Sequence, residues 1–501
     1  MTGPRAVVVG AGVGGLVAAT HLARRGLAVT VVERHGSPGG RLGRFERNGH
    51  VFATGPTLLV MPGLYRSELA ALGADFDAAL EPQRVDPTYN LVFDDGARLE
   101  LTSDLTALAG QLEAMEPGAV GGLLRYLDEG RRHYELAMPR LVERDFRRAR
   151  DFVRPSMLPL AARLHVLRRH YGHMSAFFAD PRLRAAFSFQ DVYMGLSPFR
   201  APATFSLTPY SELAHGVWYP RGGMYRVVEA LVGLAEEAGV RFAYDEPVAR
   251  ITVAGTRATG VELASGGALP ADVVVANADL PYVYRHLLPD AGAARRLARR
   301  TFSGSAISFY WGTDRAYPQL APHTLFLTDR YRDNFERIER NEPLPDEPSV
   351  YVHAPARLDP HAAPPGRDTI VAVVPTGHLT GGDEASERDT WAAEVARARA
   401  AVLARLASQG LTDVARHLTY EAVATPLQWR DRYNLVHGAT HGLAHTLTQL
   451  AYLRPHNRHA TYRNLYFAGA STHPGTGVPT AMVSGRLAAE RVADDLGLTG
   501  A

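Results

Sequence analysis

Apolar runs broken by glycine-rich turns predict a strand–helix–strand unit at the start of the chain. Residues 5–9 (RAVVV) have the uninterrupted apolar pattern of a short strand buried in a parallel sheet. Residues 16–25 have the apolar spacing of a helix and are followed by Gly26, which suits a helix C-terminus. Residues 27–33 (LAVTVVE) predict a second strand. The N-terminal segment therefore predicts one βαβ unit.

Two later parts of the chain carry the same buried-strand pattern. Residues 271–279 (ADVVVANAD) predict a strand, and the alternating stretches 248–253 and 258–263 before it predict hairpins. Residues 464–470 (NLYFAGA) predict another strand, followed by a glycine- and proline-rich turn and a helix over residues 479–496. The elements of one α/β domain are thus expected from three separated blocks of the chain.

Composition narrows the function classes. With 501 residues, 46% of them hydrophobic, the chain can build two domains with substantial cores. A net charge of +2 does not fit a general nucleic-acid binder, so no nucleic-acid partner is expected. The lack of cysteine excludes disulfides, thiolate metal sites and a flavin attached through cysteine, and no metal site is predicted. No apolar run approaches the roughly 18 residues that span a bilayer, which predicts a cytoplasmic protein.

The glycine loop after the first strand has the dinucleotide-binding pattern. Gly10 allows a tight turn, Gly12 lets the backbone approach a pyrophosphate, and Gly15 allows close helix–strand packing. Glu33 ends the second strand, where a carboxylate suits the diol of a ribose and repels a 2′-phosphate. The predicted adenosine-binding residues are Gly10, Gly12, Val13, Gly14, Gly15, Glu33 and Arg34.

Two further glycine-rich segments extend the prediction from a dinucleotide to FAD. Gly39, Gly40 and Arg41 follow Glu33 closely, and Arg41 can pair with the pyrophosphate. Residues 469–479 link a strand to a helix, and free N–H groups at that helix N-terminus suit the negative charge of a reduced flavin. The other predicted cofactor-binding residues are Gly40, Arg41, Gly55, Pro56, Thr57, Val248, Asn277, Gly469, Ala470, Gly477, Val478, Pro479 and Met482.

Several longer segments are similar to one known protein family. They include GAGVGGLVAATHLARRG, GHVFATGPT, SFQDVYMGLSPFRAPATFSL, GVWYPRGGM, SVYVHAPARLDPHAAPPGRD and NLYFAGASTHPGTGVPTAMVSGR. On these segments, which are spread over nearly the whole chain, the sequence resembles the bacterial and fungal phytoene desaturases, the carotenoid desaturases of the amine-oxidase-like flavoproteins. Thr480 stands where the family's flavin-site signature often continues with glycine or an apolar residue.

The resemblance implies a fold, a cofactor and a reaction. The fold is α/β, with a discontinuous Rossmann-type FAD-binding domain (residues 1–75, 216–290 and 440–501) and an inserted α+β substrate-binding domain (76–215 and 291–439). Non-covalent FAD would desaturate a lipid-soluble polyene or isoprenoid by hydride transfer to flavin N5, with quinone or oxygen as electron acceptor. A cytoplasmic protein, peripheral on the inner face of the cell membrane, is implied. A redox-neutral isomerase or a saturase stays an alternative, as does, more remotely, a non-catalytic isoprenoid-binding escort.

The sequence indicates the proton acceptor less clearly. His473 lies in the predicted flavin turn, and histidine has a pKa near working pH. Asp191, Glu212 and Arg430 with Asp431 are weaker candidates, and a reaction without a protein base stays open. All 54 basic residues are arginine, so the lysine that related amine oxidases place near the flavin is missing, which argues against C–N oxidation. Two or three of seven aromatic residues are expected to touch substrate: Phe189, Tyr193, Phe199, Phe205, Tyr210, Trp218 and Tyr219.

Residues 120–185 predict an arginine-rich helical part. Within it, an apolar stripe on a single helix is predicted, with basic residues turned away from it. Such a helix suits an anionic membrane surface, and a helix packed on the domain core is the equally open alternative. The stripe consists of Leu160, Leu164, Leu167 and Tyr171, and the basic face of His165, Arg168 and Arg169.

Overall fold

The computed structural model describes residues 3–498, which fold around two large β-sheets. The strands are β1 Arg5–Val9, β2 Ala28–Val32, β3 Arg44–Arg47, β4 His50–Ala53, β5 Gln83–Val85, β6 Tyr89–Phe93, β7 Arg98–Leu101, β8 Val217–Tyr219, β9 Arg241–Ala243, β10 Val248–Ala254, β11 Arg257–Leu263, β12 Ala268–Pro270, β13 Val273–Ala276, β14 Ser305–Thr313, β15 His323–Leu327, β16 Val350–His353, β17 Thr369–Thr376, β18 Leu418–Ala424 and β19 Leu465–Phe467.

Helices cover the sheets and fill the long connections between their strands. They are α1 Val13–Arg24, α2 Pro62–Ala71, α3 Phe76–Leu80, α4 Leu105–Met115, α5 Ala119–Ala137, α6 Ala149–Phe152, α7 Met157–Arg163, α8 His170–His173, α9 Pro181–Ala186, α10 Leu207–His215, α11 Arg226–Glu237, α12 Leu280–Tyr282, α13 Ala291–Ala298, α14 Tyr331–Arg340, α15 Glu384–Ala407, α16 Pro426–Tyr433 and α17 Val478–Leu496.

The first sheet is parallel and contains the N-terminal βαβ unit. Its strands follow the order β19, β13, β1, β2, β9, so the chain contributes to it from its beginning, middle and end. Val8 on β1 lies opposite Val31 on β2 and Val275 on β13, and all three side chains are fully buried. The uninterrupted apolar runs are explained by this central position, because both faces of such strands are covered. The predicted α/β class with a Rossmann-type sheet is confirmed.

Helices α1 and α17 pack against each other with very little space between them. A Cβ on Gly485 of α17 would lie 2.4 Å from the carbonyl oxygen of Gly14 and 2.9 Å from the Cβ of Val17. Gly485 is therefore the residue that lets the C-terminal helix lie against the first turns of the N-terminal helix.

We expect Gly485→Ala to lower the free energy of unfolding by about 1–3 kcal/mol, because the new methyl group overlaps backbone that cannot move independently. Gly233→Ala in α11 is the matched control, since a Cβ there meets no atom within 4 Å. The control should be neutral or gain up to about 1 kcal/mol from helix propensity. Urea unfolding followed by circular dichroism measures both, and equal effects of the two substitutions would contradict the packing argument.

The second sheet has seven strands in the order β18, β14, β17, β16, β15, β6, β7. Neighbouring strands are antiparallel except β6 and β15. Side chains alternate between its faces, as expected for strands. On β14, Phe309 and Trp311 pack into the apolar cluster that includes Val402 of α15, whereas Ser308 and Tyr310 line a large cavity on the other face.

The apolar stripe predicted over residues 160–171 does not form. Helix α7 ends at Arg163, and His165 has a left-handed backbone (φ 49°), which turns the chain before the next short helix begins. Leu160 and Leu164 are buried against the protein, while Leu167 is 83% exposed. The prediction of one continuous amphipathic helix was wrong because a local break separates its two halves.

Within residues 3–498, no helix combines the length and the apolar character that crossing a bilayer requires.

The two sheets use different stretches of the chain. The domain boundaries predicted at residues 75, 215, 290 and 439 stay predictions, because the strands do not mark where a domain ends.

Candidate active site

A cavity of about 760 Å³ extends from the parallel sheet to the inner face of the seven-stranded sheet. One part is lined by the glycine-rich segments around Gly10, Gly40 and Gly469. The other part is lined largely by apolar side chains such as Leu325 and Phe335. A large cavity with a polar part and an apolar part is the expected form of a site that holds both a nucleotide cofactor and a hydrophobic ligand.

The polar part begins at the turn between β1 and α1. Gly10 has a positive φ of 100°, and Gly12 is the N-cap of α1 without a side chain to satisfy the first N–H groups of the helix. The first turn of α1 carries no acidic residue, so its positive dipole end is free to bind phosphate. Glu33 accepts a hydrogen bond from the N–H of Ala11 (2.8 Å) and is 5% exposed, which fixes a carboxylate beside this turn.

Glycines from separate parts of the chain meet in this region. A Cβ on Gly12 would lie 2.9 Å from Nδ2 of Asn277, and a Cβ on Gly14 would lie 2.9 Å from the backbone nitrogen of Gly469. A Cβ on Gly55 would overlap the carbonyl oxygen of Arg41. Exposed backbone N–H groups and glycines that admit no side chain fit the pyrophosphate of FAD.

A second helix N-terminus faces the cavity at the end of the flavin turn predicted from the sequence. Gly477, with φ 116°, is the N-cap of α17, and Pro479 occupies its first turn. No acidic residue lies in that turn, and residues 476–481 all line the cavity. This dipole end suits the negative charge of a reduced flavin.

Arg41 and Asp279 are charged residues of the cavity wall whose charges influence each other. The Arg41 guanidinium donates to the carbonyl oxygen of Thr440 (2.7 Å), and Asp279 accepts a hydrogen bond from Ser471. Burial lowers the pKa of Arg41, and the Asp279 charge opposes this shift. Burial raises the pKa of Asp279, and Ser471 and Arg41 oppose that shift. A half-buried cation therefore lines the cavity that contains the predicted flavin site.

The predicted cofactor-binding residues come together around this cavity with two exceptions. Gly15 and Met482 do not line it: a Cβ on Gly15 would lie 2.2 Å from the carbonyl oxygen of Gly10, so Gly15 serves packing, and Met482 is buried in the core. The lining residues are Gly10, Gly12, Val13, Gly14, Glu33, Arg34, Gly40, Arg41, Gly55, Pro56, Thr57, Val248, Asn277, Gly469, Ala470, Gly477, Val478 and Pro479.

Three residues predicted as candidates for the proton acceptor, His473, Asp191 and Arg430, do not line the cavity. The His473 ring packs against Phe146, and its Nε2 lies 2.9 Å from the carbonyl oxygen of Arg144. Burial lowers the pKa of His473 to about 4. The turn holds this histidine, but its ring points away from the cavity.

Asp191 and Arg430 are occupied by ion pairs outside the cavity wall. Asp191 lies 2.9 Å from Nδ1 of His170, and both side chains are fully buried. Arg430 is partly exposed and lies 2.7 Å from Asp431 and 3.7 Å from Glu387. Neither is positioned to contact a ligand in the cavity.

Glu212, another predicted candidate for the proton acceptor, does not line the cavity either. Its carboxylate accepts a hydrogen bond from Gln190 (3.0 Å). Burial raises the pKa of Glu212 to about 7, opposed by Gln190 and by the hydroxyl of Tyr193. Tyr193 lines the cavity and is hydrogen-bonded to Tyr89, a second lining residue that no sequence pattern singles out.

His441 is another lining residue that sequence reasoning missed. Its Nδ1 lies 3.1 Å from the hydroxyl of Thr440. Burial and the Arg41 charge lower the pKa of His441 to about 4, so the ring is neutral at pH 7. It lies in an irregular loop of alternating glycine and histidine, where no periodic pattern marks one residue as functional. Of the seven aromatic residues considered, Phe189, Tyr193 and Phe205 line the cavity.

Comparison with known proteins agrees with this geometry. The profile of the family described as flavin containing amine oxidoreductase matches residues 13–493. The phytoene desaturase of Fusarium fujikuroi is 39% identical, with 98% of this chain and 89% of the relative aligned. The chain belongs to the phytoene desaturase family of the flavin-containing amine oxidoreductases. FAD is the cofactor of this family member, and the glycine cradle, Glu33 and the two helix N-termini are the features predicted to hold it.

The names of two other relatives specify a product or a bond position. The zeta-carotene-forming phytoene desaturase of Myxococcus xanthus is 40% identical over 98% of this chain and 94% of its own. The carotenoid 3,4-desaturase of Haloarcula japonica is 34% identical over 99% of each chain. Putrescine oxidase bound to putrescine has a TM-score of 0.64 at 16% identity over 99% of each chain, a similarity of fold.

Proposed function

We propose that this protein is an FAD-dependent desaturase of a long, apolar carotenoid precursor such as phytoene. The observation that carries the proposal is the continuity of the cavity from the FAD cradle to an apolar chamber on the seven-stranded sheet. This arrangement would bring the flavin and a lipid-like ligand together in one continuous cavity. An enzyme that oxidises the C–N bond of a polar amine would not need an apolar chamber of this size.

Desaturation removes two hydrogens from adjacent carbons, one as a hydride and one as a proton. When bound, FAD accepts the hydride at N5. The glycine segments and Arg41 hold the cofactor, and the second sheet presents Leu325, Val371 and Val373 to the substrate chain. Apolar walls exclude water and hold a flexible chain in one extended position, which orients its C–H bond for transfer.

We assign Glu212 as the proton acceptor, acting through Tyr193. A general base works best when its pKa is near the working pH, and the pKa of Glu212 is raised to about 7. Glu212 does not line the cavity itself, whereas Tyr193, whose hydroxyl opposes the rise of the Glu212 pKa, belongs to the cavity wall. Tyr193→Phe is expected to slow single-turnover flavin reduction about 10- to 100-fold. An unchanged rate of flavin reduction in this variant would contradict the assignment of Glu212 and Tyr193.

The proposed attachment to a membrane rests on the 148–169 surface, the exposed side of α6 and α7 and the loops around them. Val153 and Leu158 are each 76% exposed and Leu167 is 83% exposed. Exposed arginines surround these side chains. Beneath the surface, Leu160 and Leu164 pack on Leu207 and Met61, which line the cavity. Packed apolar side chains therefore connect this surface to one wall of the cavity.

Leu158→Ser with Leu167→Ser is expected to reduce binding to anionic vesicles about 10-fold or more, because two exposed leucines no longer enter the lipid. Leu105→Ser, at a 50% exposed leucine in α4, serves as the matched control. Flotation of vesicles with bound protein measures the effect. Equal flotation of all three proteins would exclude this surface as the contact.

Anaerobic mixing of the FAD-loaded protein with phytoene tests the central proposal. Bleaching of the flavin absorbance and a product lighter by two hydrogens are the expected results. Conversion of a polyene without bleaching and without a change in mass would identify an isomerase instead. Reoxidation by quinone or by oxygen in a second mixing step identifies the electron acceptor.

A further inference from the structure

Asn334 in the apolar chamber has no protein partner for either of its polar amide atoms, and the hydroxyl of Tyr331, one helical turn earlier, is also without a hydrogen-bond partner. Asn334 lies on α14, is 1% exposed and lines the cavity. Neither its amide nitrogen nor its amide oxygen makes a hydrogen bond. Among residues 3–498, no other side chain has two buried polar atoms without a hydrogen-bond partner.

Asn334 is surrounded mainly by apolar or aromatic side chains. Phe335 and Tyr331 of the same helix line the cavity with it, as do Leu325 and Leu327 near the end of β15. Burying an amide without hydrogen bonds costs about 1–3 kcal/mol. A leucine would fill the same space without this cost. The chain thus keeps an unpaired donor and an unpaired acceptor in the wall of a cavity that admits a ligand.

We propose that Asn334 binds a terminal hydroxyl group of the substrate, so that the preferred substrate is a hydroxylated polyene. The inference rests on the proposed function, since it describes the ligand of the same cavity. A hydroxyl group donates to the amide oxygen and accepts from the amide nitrogen, which satisfies both atoms. A carbonyl end group can form a hydrogen bond only with the amide nitrogen, and a hydrocarbon end can form a hydrogen bond with neither amide atom.

This contact would also set the position of the reaction along the chain. Asn334 belongs to the part of the cavity built by α14 and the second sheet, and the flavin turn belongs to another. A substrate anchored by its end to Asn334 has a fixed number of carbons between the hydroxyl and the flavin. A reaction that adds a hydroxyl group to the polyene end must then precede this desaturation.

Binding of two acyclic polyenes that differ only by a terminal hydroxyl tests the inference. The dissociation constants for the FAD-loaded protein are measured from the shift of polyene absorbance, with flavin bleaching recorded in parallel. The hydroxyl group is expected to lower the dissociation constant about 10- to 100-fold, as for one buried polar partner. In Asn334→Leu the two dissociation constants should be equal within about threefold.

Leu327→Met, which keeps volume and apolarity on the same wall, is the matched control and should retain the preference for the hydroxylated polyene. Equal binding of the two polyenes by the wild-type protein, as expected if water occupies the amide, would overturn the inference. A preference that survives Asn334→Leu would overturn it as well. Tight binding without flavin bleaching would count against the proposed desaturation and leave the role of Asn334 supported, so the two failures are distinguishable.

Discussion

Gly12→Ala is expected to raise the dissociation constant for FAD about 100-fold, equivalent to about 2.7 kcal/mol. The reason is the close approach of Gly12 to the Asn277 side chain and to the backbone at Gly40. A Cβ on Gly12 would lie 2.9 Å from Nδ2 of Asn277, and a Cβ on Gly40 would lie 3.5 Å from the Cα of Gly12. The same backbone must admit the pyrophosphate, so a methyl group meets both protein and cofactor.

The double variant Gly12→Ala with Asn277→Ala separates these two contacts. Asn277→Ala alone removes the amide and its hydrogen bond to the carbonyl oxygen of Gly10, and it provides the baseline. If the cofactor itself meets the new methyl group, the double variant folds normally but still binds FAD weakly. Titration of the apoprotein, followed by quenching of flavin fluorescence, gives the dissociation constants. Wild-type affinity in Gly12→Ala would refute the assigned approach of the pyrophosphate.

Glu212→Gln is expected to change how stability depends on pH. The pKa of Glu212 is raised by burial to about 7, above its unfolded value of 4.5. Between these values the folded state holds a proton that the unfolded state has lost, so the free energy of unfolding falls as pH rises from 4.5 to about 7. The difference amounts to about 3 kcal/mol. A glutamine side chain at this position cannot ionise, so the variant lacks this part of the pH dependence.

Urea unfolding of both proteins at saturating FAD, at about pH 4.5 and about pH 8, measures this effect. Relative to the variant, the wild-type protein should lose about 3 kcal/mol between the two conditions. Glu237→Gln is the control, because it removes a carboxylate at an exposed position near the end of α11 and should leave the pH dependence of stability as in the wild-type protein. A wild-type curve parallel to that of Glu212→Gln would show that Glu212 is ionised at neutral pH.

The parts of the fold that the sequence predicted are those with strong local patterns. The run RAVVV, the glycine loop and Glu33 lie within one continuous unit, so their spacing fixes their geometry. Helix α17 starts at Val478, one residue before the prediction, because a glycine and a proline mark its beginning. The predicted strand over 464–470 is shorter in the structure, Leu465–Phe467, since only its centre pairs with β13.

The parts that could not be predicted depend on which distant residues become neighbours. His473 lies in the correct turn, yet its ring contacts residues more than 300 positions earlier in the chain. Asp191 is buried next to His170, and no local sequence pattern predicts that contact. Asn334 lies in the segment YRDNFERIER, whose charge suggests a fully solvated helix. Its position against the second sheet, rather than its own sequence, makes it a candidate ligand-binding residue.

The packing of α17 on α1 has a consequence for biosynthesis. Strand β1 pairs with β13, and Gly485 must reach Gly14 before the two helix N-termini that are predicted to bind FAD face one cavity. A ribosome releases these parts in order, so the cofactor site stays incomplete until nearly the whole chain has emerged. FAD loading is therefore a late event, and a nascent chain stalled before α17 would be expected to carry an open, solvent-exposed glycine loop.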